Sequence, residues 1–209
     1  MPPDTRERLL HAAIGLFARK GYASTSVADI LDAAGVNAGS LYHFFPGKQD
    51  VLLAVLETYR QGIDPMLLQP AWDGVADPIE RVFALLGHYR EYLRRTECTY
   101  GCPIGSIALE LHEPDPPVRA LLAANFDGWI SAIEGCFIEA GDRLPASVDR
   151  RALAIFALTT MEGGVMLSRT DRTLDAFDAA VRMLRDYVDR LQASGSSRGT
   201  PVTLSPPGP

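Results

Sequence analysis

Cysteine is scarce: three residues in 209, an odd number that builds no disulfide framework and suits a reducing compartment. No apolar run approaches the roughly 20 residues that span a bilayer. The opening stretch carries Asp4, Arg6, Glu7 and Arg8 where a secretory leader needs an apolar segment. A cytoplasmic protein without a membrane segment is expected. Basic residues are outnumbered, 20 Lys and Arg against 26 Asp and Glu for a net charge of -6, so the chain as a whole repels polyanions at long range. Catalytic signatures are missing too. No Walker or dinucleotide glycine pattern occurs, His112-Glu113 runs into Pro114 rather than toward a second zinc-protease histidine, and His11, His43, His88 and His112 form no constellation. Gly195, Ser197 and Gly199 spell a hydrolase nucleophile motif in letters only, because that motif works on a strained strand-to-helix turn and here lies in a Ser/Gly/Pro tail. Cys98 and Cys102 lack His or Asp partners at ligand spacing, so neither a metal nor a cofactor is expected, and no enzyme.

What remains has ordinary globular proportions, 47% hydrophobic and 22% charged, with a mean hydropathy of +0.02. A chain of this length removes roughly 70% of its unfolded surface from water without a covalent staple. Apolar residues recur three and four apart almost throughout, which predicts an all-α protein. Asp4 with Glu7 forms a capping pair for a first helix with the stripe Leu9, Leu10, Ala13, Leu16 and Phe17, stopped by Gly21. Ser26 with Asp29 opens a short second helix ending at Gly35, and Asn37 caps a third, Ala38 to Phe45. Pro46-Gly47 breaks the chain before a fourth helix from Lys48 past Leu56. Further helices are expected over 78–95, 104–112, 117–140, 148–168 and 174–192, with breaks at Asp64-Pro65, Asp77-Pro78, 113–117 and 141–145. The resulting division is a helix-turn-helix domain (1–47), a larger helical body (48–192) and a disordered Ser/Gly/Pro tail (193–209). The head is locally neutral, since Arg6, Arg8, Arg19, Lys20 and Lys48 balance Asp4, Glu7, Asp29, Asp32 and Asp50 over residues 1–50. That permits a phosphate-binding face without requiring one.

Residues 21–52, GYASTSVADILDAAGVNAGSLYHFFPGKQDVL, closely resemble the DNA-binding segment of the tetracycline-repressor (TetR) family of transcriptional regulators. The match combines Thr25-Ser26 before the second helix, Ala34-Gly35-Val36 in the turn, Gly39-Ser40-Leu41-Tyr42 in the third helix, and Phe45 and Lys48 after it. The resemblance implies a homodimer on a palindromic double-stranded DNA operator, with Ala38, Gly39, Tyr42 and His43 at base edges or the adjacent backbone. Thr25, Ser26, Ser40, Tyr42 and Lys48 would hold phosphates. Helical spacing agrees: Leu41, Phe44 and Phe45 face the first helix, and Tyr42 and His43 lie opposite. Ala28 and Ala38 stand where some members carry long polar side chains, so direct base readout is sparse and DNA shape carries more of the specificity. The alternative is a helical interaction protein without DNA binding, which the acidic composition would suit.

In the body, Leu174, Phe177, Val181, Leu184, Val188 and Leu191 repeat at steps of 3, 4, 3, 4 and 3. Such a seam packs along another helix, either within the chain or, as the family resemblance implies, in a four-helix bundle with a second copy. Gly163 and Gly164 mark a close helix approach there. Phe83, Tyr89, Tyr92, Phe126, Trp129, Phe137, Phe156, Met161 and Met166 could line a pocket for an apolar or aromatic effector, or serve simply as core. Tyr100 to Leu111, with its Gly101-Cys102 pair, resembles the subgroup of the family that responds to N-ethylmaleimide and other electrophiles. On that resemblance Cys102 is a candidate thiol sensor at a helix start, where the helix dipole lowers a thiol's pKa; the alternative is a small buried hydrophobe.

Overall fold

A computed structural model describes residues 4–196. Helix α1 (Thr5–Lys20) begins on the Asp4–Glu7 capping box, buries the expected stripe and ends at Gly21, whose φ of 84° is open to glycine without strain. Helix α2 (Val27–Ala34) starts on the Ser26–Asp29 capping box and stops at a left-handed Gly35. Helix α3 (Ala38–Phe44) is capped by Asn37, whose side chain accepts the Ser40 amide at 3.0 Å. Leu9, Ile30 and Leu41 are fully buried and join the three helices, with Phe45 closing the end. Arg8 ties the turn from a distance: its Nη2 donates to the carbonyls of Ala34 at 2.6 Å and Gly35 at 2.8 Å, satisfying groups that end α2. Phe44 departs from expectation, because it lies on the exposed side of α3 while Phe45, just past the helix, turns inward.

Helix α4 (Lys48–Ile63) does not break at Asp64-Pro65. The chain runs on through a π-helical turn (Asp64–Leu68) into a one-turn α5 (Gln69–Trp72). Pro65 sits at the start of the π turn, where a wider hydrogen-bond register tolerates the missing donor. Helix α6 (Pro78–Arg95) is capped by Asp77, and α7 (Pro103–Glu110) by Cys102. Helix α8 (Pro116–Glu139) packs against α4, α6 and α9. By length and composition α8 is apolar enough to cross a bilayer, which corrects the expectation that no stretch comes near; here it is a body helix carrying a buried Asn125. Helices α9 (Arg150–Asp171) and α10 (Asp175–Ser196) form a closely packed pair. Since α10 continues to Ser196, residues 193–196 of the expected tail are helical, and 197–209 lie outside the described residues.

The α9–α10 contact corrects the reading of the last helix. Phe177, Leu184 and Val188 are buried in the chain's own core, with Leu174, Val181 and Leu191 partly buried against it. The regular seam therefore points inward, as the more continuous apolar stripe of a two-faced helix should. Gly164 permits this: a Cβ there would stand 3.0 Å from Phe177 Cδ2 and 3.2 Å from its Cα. Gly163 faces open space instead and marks no approach within the chain. Turned outward on the same two helices are Ile155, Phe156, Met166, Leu167, Met183 and Tyr187, all exposed.

Candidate nucleic-acid interface and effector cavity

Local chemistry arranges the head so that α3 projects a nearly uncharged face. Ala38, Gly39, Tyr42 and His43 are exposed on it, Tyr42 at 57%, and the His43 ring meets Phe44 edge-on at 4.7 Å. Ser40 is partly buried and directs its hydroxyl to Asn37 Oδ1 at 3.1 Å. Ser26 is exposed, with its hydroxyl on Asp29 at 2.8 Å. Asp29 is held down to about 2 by the Ser26 backbone amide first and the Lys20 ammonium next, at 3.0 Å, so the box stays ionised at neutral pH. Thr25 is a correction. It is buried, and its hydroxyl donates to the Gly21 carbonyl at 2.7 Å, so the side chain braces the α1–α2 connection rather than presenting an oxygen to a phosphate. Lys48 leans back on the head: Nζ lies 3.3 Å from the Ala23 carbonyl and 4.2 Å from the centre of the Tyr22 ring, and partial burial lowers its pKa. Arg6, which spacing did not single out, is exposed and sets its guanidinium over the Phe45 ring, 5.5 Å from the centroid, beside the end of α3.

A cavity of about 380 Å³ opens between head and body, in the usual range for small-molecule sites. Its walls are Ile14, Phe17 and Ala18 from α1, Tyr59 from α4, Met66 and Leu67 from the π turn, His88, Tyr89 and Tyr92 from α6, and Pro103, Ser106 and Ile107 from α7. A second, smaller lobe of about 200 Å³ shares Ile14, Tyr59, Met66, Leu67, Tyr89 and Pro103 and adds Cys102, Ile104, Asn125 and Trp129. Among the described residues, no Asp, Glu, Lys or Arg lines either lobe. Burial pushes Tyr59 up to about 12 and raises Tyr89 and Tyr92 as well, so the phenols are neutral donors at physiological pH.

Of the aromatic and methionine residues singled out from sequence, the structure brings Tyr89, Tyr92 and Trp129 to this cavity. Phe137 and Met161 are solid core, and Phe126 packs partly buried against it. Phe83 lies under the Arg185 guanidinium at 3.3 Å. Phe156 is exposed and meets Tyr187 at 5.9 Å on the outer surface, and Met166 is exposed too. Ile14 and Phe17 of α1, Tyr59 of α4 and Tyr100 before α7 escaped sequence reasoning because nothing in their spacing distinguishes a residue that also walls a cavity from one that only packs. Cys102 contradicts the premise of the sensor reading. Its thiol is buried, accepts the Gly105 amide at 3.4 Å, and is pushed far up by burial and then by the neighbouring Glu162, which together outweigh the helix dipole. Glu162 is itself raised by burial, and its Oε1 is buried without a hydrogen-bond partner.

Capped helices around a glycine turn, with an exposed aromatic on the second of them, define a helix-turn-helix DNA-binding protein. Residues 9–55 match the family described as bacterial regulatory proteins, tetR family, and residues 78–183 match the C-terminal domain of LmrA/YxaF-like transcriptional regulators. An uncharacterized HTH-type transcriptional regulator of Mycobacterium tuberculosis is 34% identical over 189 residues, covering 88% of this chain and 93% of that protein. The HTH-type transcriptional repressor DhaR of Mycobacterium sp. is 25% identical over 83% of this chain and 86% of its own. The crystal structure of a TetR transcriptional regulator from Chloroflexus aurantiacus superposes with a TM-score of 0.79 at 30% identity, covering 89% of this chain and 94% of that one. The chain belongs to the TetR family and is a DNA-binding transcriptional regulator. The reading as an interaction protein without DNA binding falls with that membership.

Proposed function

We propose that the chain is a cytoplasmic homodimeric repressor, released from a palindromic operator by a small, neutral, mainly apolar or aromatic molecule held between head and body. The observation that carries this is the cavity: mainly apolar, lined by tyrosines, and walled in part by α1, so that an occupant touches the DNA-binding head itself. Apart from His88, an anionic or cationic effector would meet no ionisable Asp, Glu, Lys or Arg in the described lining to offset its lost hydration. The electrophile alternative is disfavoured by the burial of Cys102.

On the DNA side, Ala38, Gly39, Tyr42 and His43 are our candidates for the groove, with Ser26, Ser40, Lys48 and Arg6 for phosphates. For the dimer, the outward face carrying Ile155, Phe156, Met183 and Tyr187 replaces the inward seam, and Gly163 on that side allows a partner helix to approach. The working division is a head of 1–47 on a body of 48–192. Selection of duplexes from a random pool tests the reading. It should return a palindrome bound by two chains, and recovery of asymmetric sequences bound by single chains would contradict it.

A further inference from the structure

Helix α7 has two different ends. Its first turns, through Pro103, Ile104 and Ile107, wall the two lobes of the cavity. Its last residue, Glu110, is partly buried against the head, where Oε2 accepts the Tyr22 amide at 2.8 Å and Oε1 accepts the Ala23 amide at 2.7 Å. Among the described residues, these are the side-chain hydrogen bonds that join the first three helices to the chain beyond α4. Charge-assisted bonds to two adjacent amides fix position and orientation together.

The surroundings are built for this contact. A Cβ on Gly21 would stand 2.9 Å from Glu110 Oε1, so the glycine admits the carboxylate as well as turning the chain. Lys48 meets the same loop at the Ala23 carbonyl and the Tyr22 ring, and its ammonium is attracted by Glu110. Tyr22 in turn packs edge-on against Phe17 at 5.3 Å, and Phe17 is a cavity wall. An eight-residue helix is a rod of about 12 Å. Movement of its cavity end is therefore delivered to the α1–α2 connection rather than absorbed.

We infer that Glu110 is the positioning residue through which occupancy of the cavity sets the pose of the helix-turn-helix. With the cavity empty, its carboxylate clamps Tyr22 and Ala23 and holds the head in one orientation on the body. With the cavity filled, α7 shifts, the clamp opens and the head is freed. The inference rests on the effector reading above.

The test uses the full-length protein, the duplex it selects, and N-phenyl-1-naphthylamine as a neutral aromatic probe whose fluorescence reports binding. In the wild type the probe should lower duplex affinity by about tenfold, and the duplex should lower probe affinity by the same factor. Hydrogen exchange at the Tyr22 and Ala23 amides should accelerate when the probe binds. Glu110→Gln keeps the shape but offers an amide donor to one of two donors. It should show fast exchange at both amides without probe, a raised probe affinity in the absence of DNA because the probe no longer has to open the clamp, and a probe effect on duplex affinity below about twofold. Gly21→Ala, which crowds the carboxylate, should give the same loss of coupling. A tenfold response retained in folded Glu110→Gln, or wild-type exchange at Tyr22 and Ala23 that ignores the probe, would overturn the inference while leaving the effector reading intact. Failure of the probe to bind the wild type, or binding without any change in duplex affinity, overturns the effector reading and the clamp with it.

Discussion

Two adjacent residues on α10 should answer opposite questions when each is made Glu. Met183 is 62% exposed and Leu184 is 1% exposed. In the isolated chain a carboxylate at 183 keeps its water, so Met183→Glu should change folding stability by no more than about 0.5 kcal/mol, as surface substitutions do. In a dimer using the outward face, burying a Met side chain contributes about 1.5–3 kcal/mol. Two-fold symmetry counts it twice, giving about 3–6 kcal/mol, or roughly a 10²- to 10⁴-fold weaker dimer. Desolvation of the new carboxylates adds to that. Leu184→Glu instead buries an unpaired charge in the α9–α10 core, a loss of several kcal/mol against a total stability of about 5–15 kcal/mol. Size-exclusion chromatography with light scattering, together with circular dichroism melts, separates the cases. Met183→Glu should be a folded monomer at micromolar concentration, and Leu184→Glu should be unfolded or aggregated. A Met183→Glu dimer of wild-type affinity, or a folded monomeric Leu184→Glu, would refute the assignment of faces.

Cys102 should alkylate slowly although it borders the smaller lobe of the cavity, because its raised pKa keeps the thiol protonated through neutral pH. Labelling with N-ethylmaleimide mapped by mass spectrometry should be more than about 100-fold slower than for free cysteine; prompt modification at this residue would restore the sensor reading. Asp29 has a folded pKa of about 2, below its ordinary 3.8, so its capping contribution is full above 3.8 and disappears as pH falls through about 2. The difference in melting temperature between wild type and Asp29→Asn should therefore shrink over that window, and a difference independent of pH would remove the ionised box as its cause. Thr25→Val should lower the melting temperature through the lost Gly21 bond, worth about 1 kcal/mol. Tyr42→Ala should leave melting unchanged and weaken duplex binding; the reverse pattern would exchange their roles.

The head was legible because its signals are local. Asp4 with Glu7, Ser26 with Asp29, Asn37 and Gly35 each act within one helical turn, and residue type at fixed spacing suffices to name them. Contacts made over long separations left no such mark. Arg8 reaches the α2 carbonyls, Glu110 reaches the loop after α1, and Glu162 sits beside Cys102, all across stretches that no periodicity connects. The last helix misled for a different reason. Ala176, Ala180, Met183 and Tyr187 also recur at steps of 4, 3 and 4, but with smaller or less apolar side chains, so the stronger periodic signal belongs to the stripe that is buried in the chain itself. Pro65 reads as a break because proline ends α-helices, whereas a π turn accommodates it.

Hydroxyl-radical footprinting of the dimer on its selected duplex, at about 150 mM salt, bears most directly on the central claim. Two α3 helices related by two-fold symmetry should protect two equivalent patches centred about one helical turn of DNA apart, or a multiple of it, and both should vanish together in Tyr42→Ala. A single uninterrupted footprint, or protection unchanged by Tyr42→Ala, would contradict an account in which this face of α3 reads the operator.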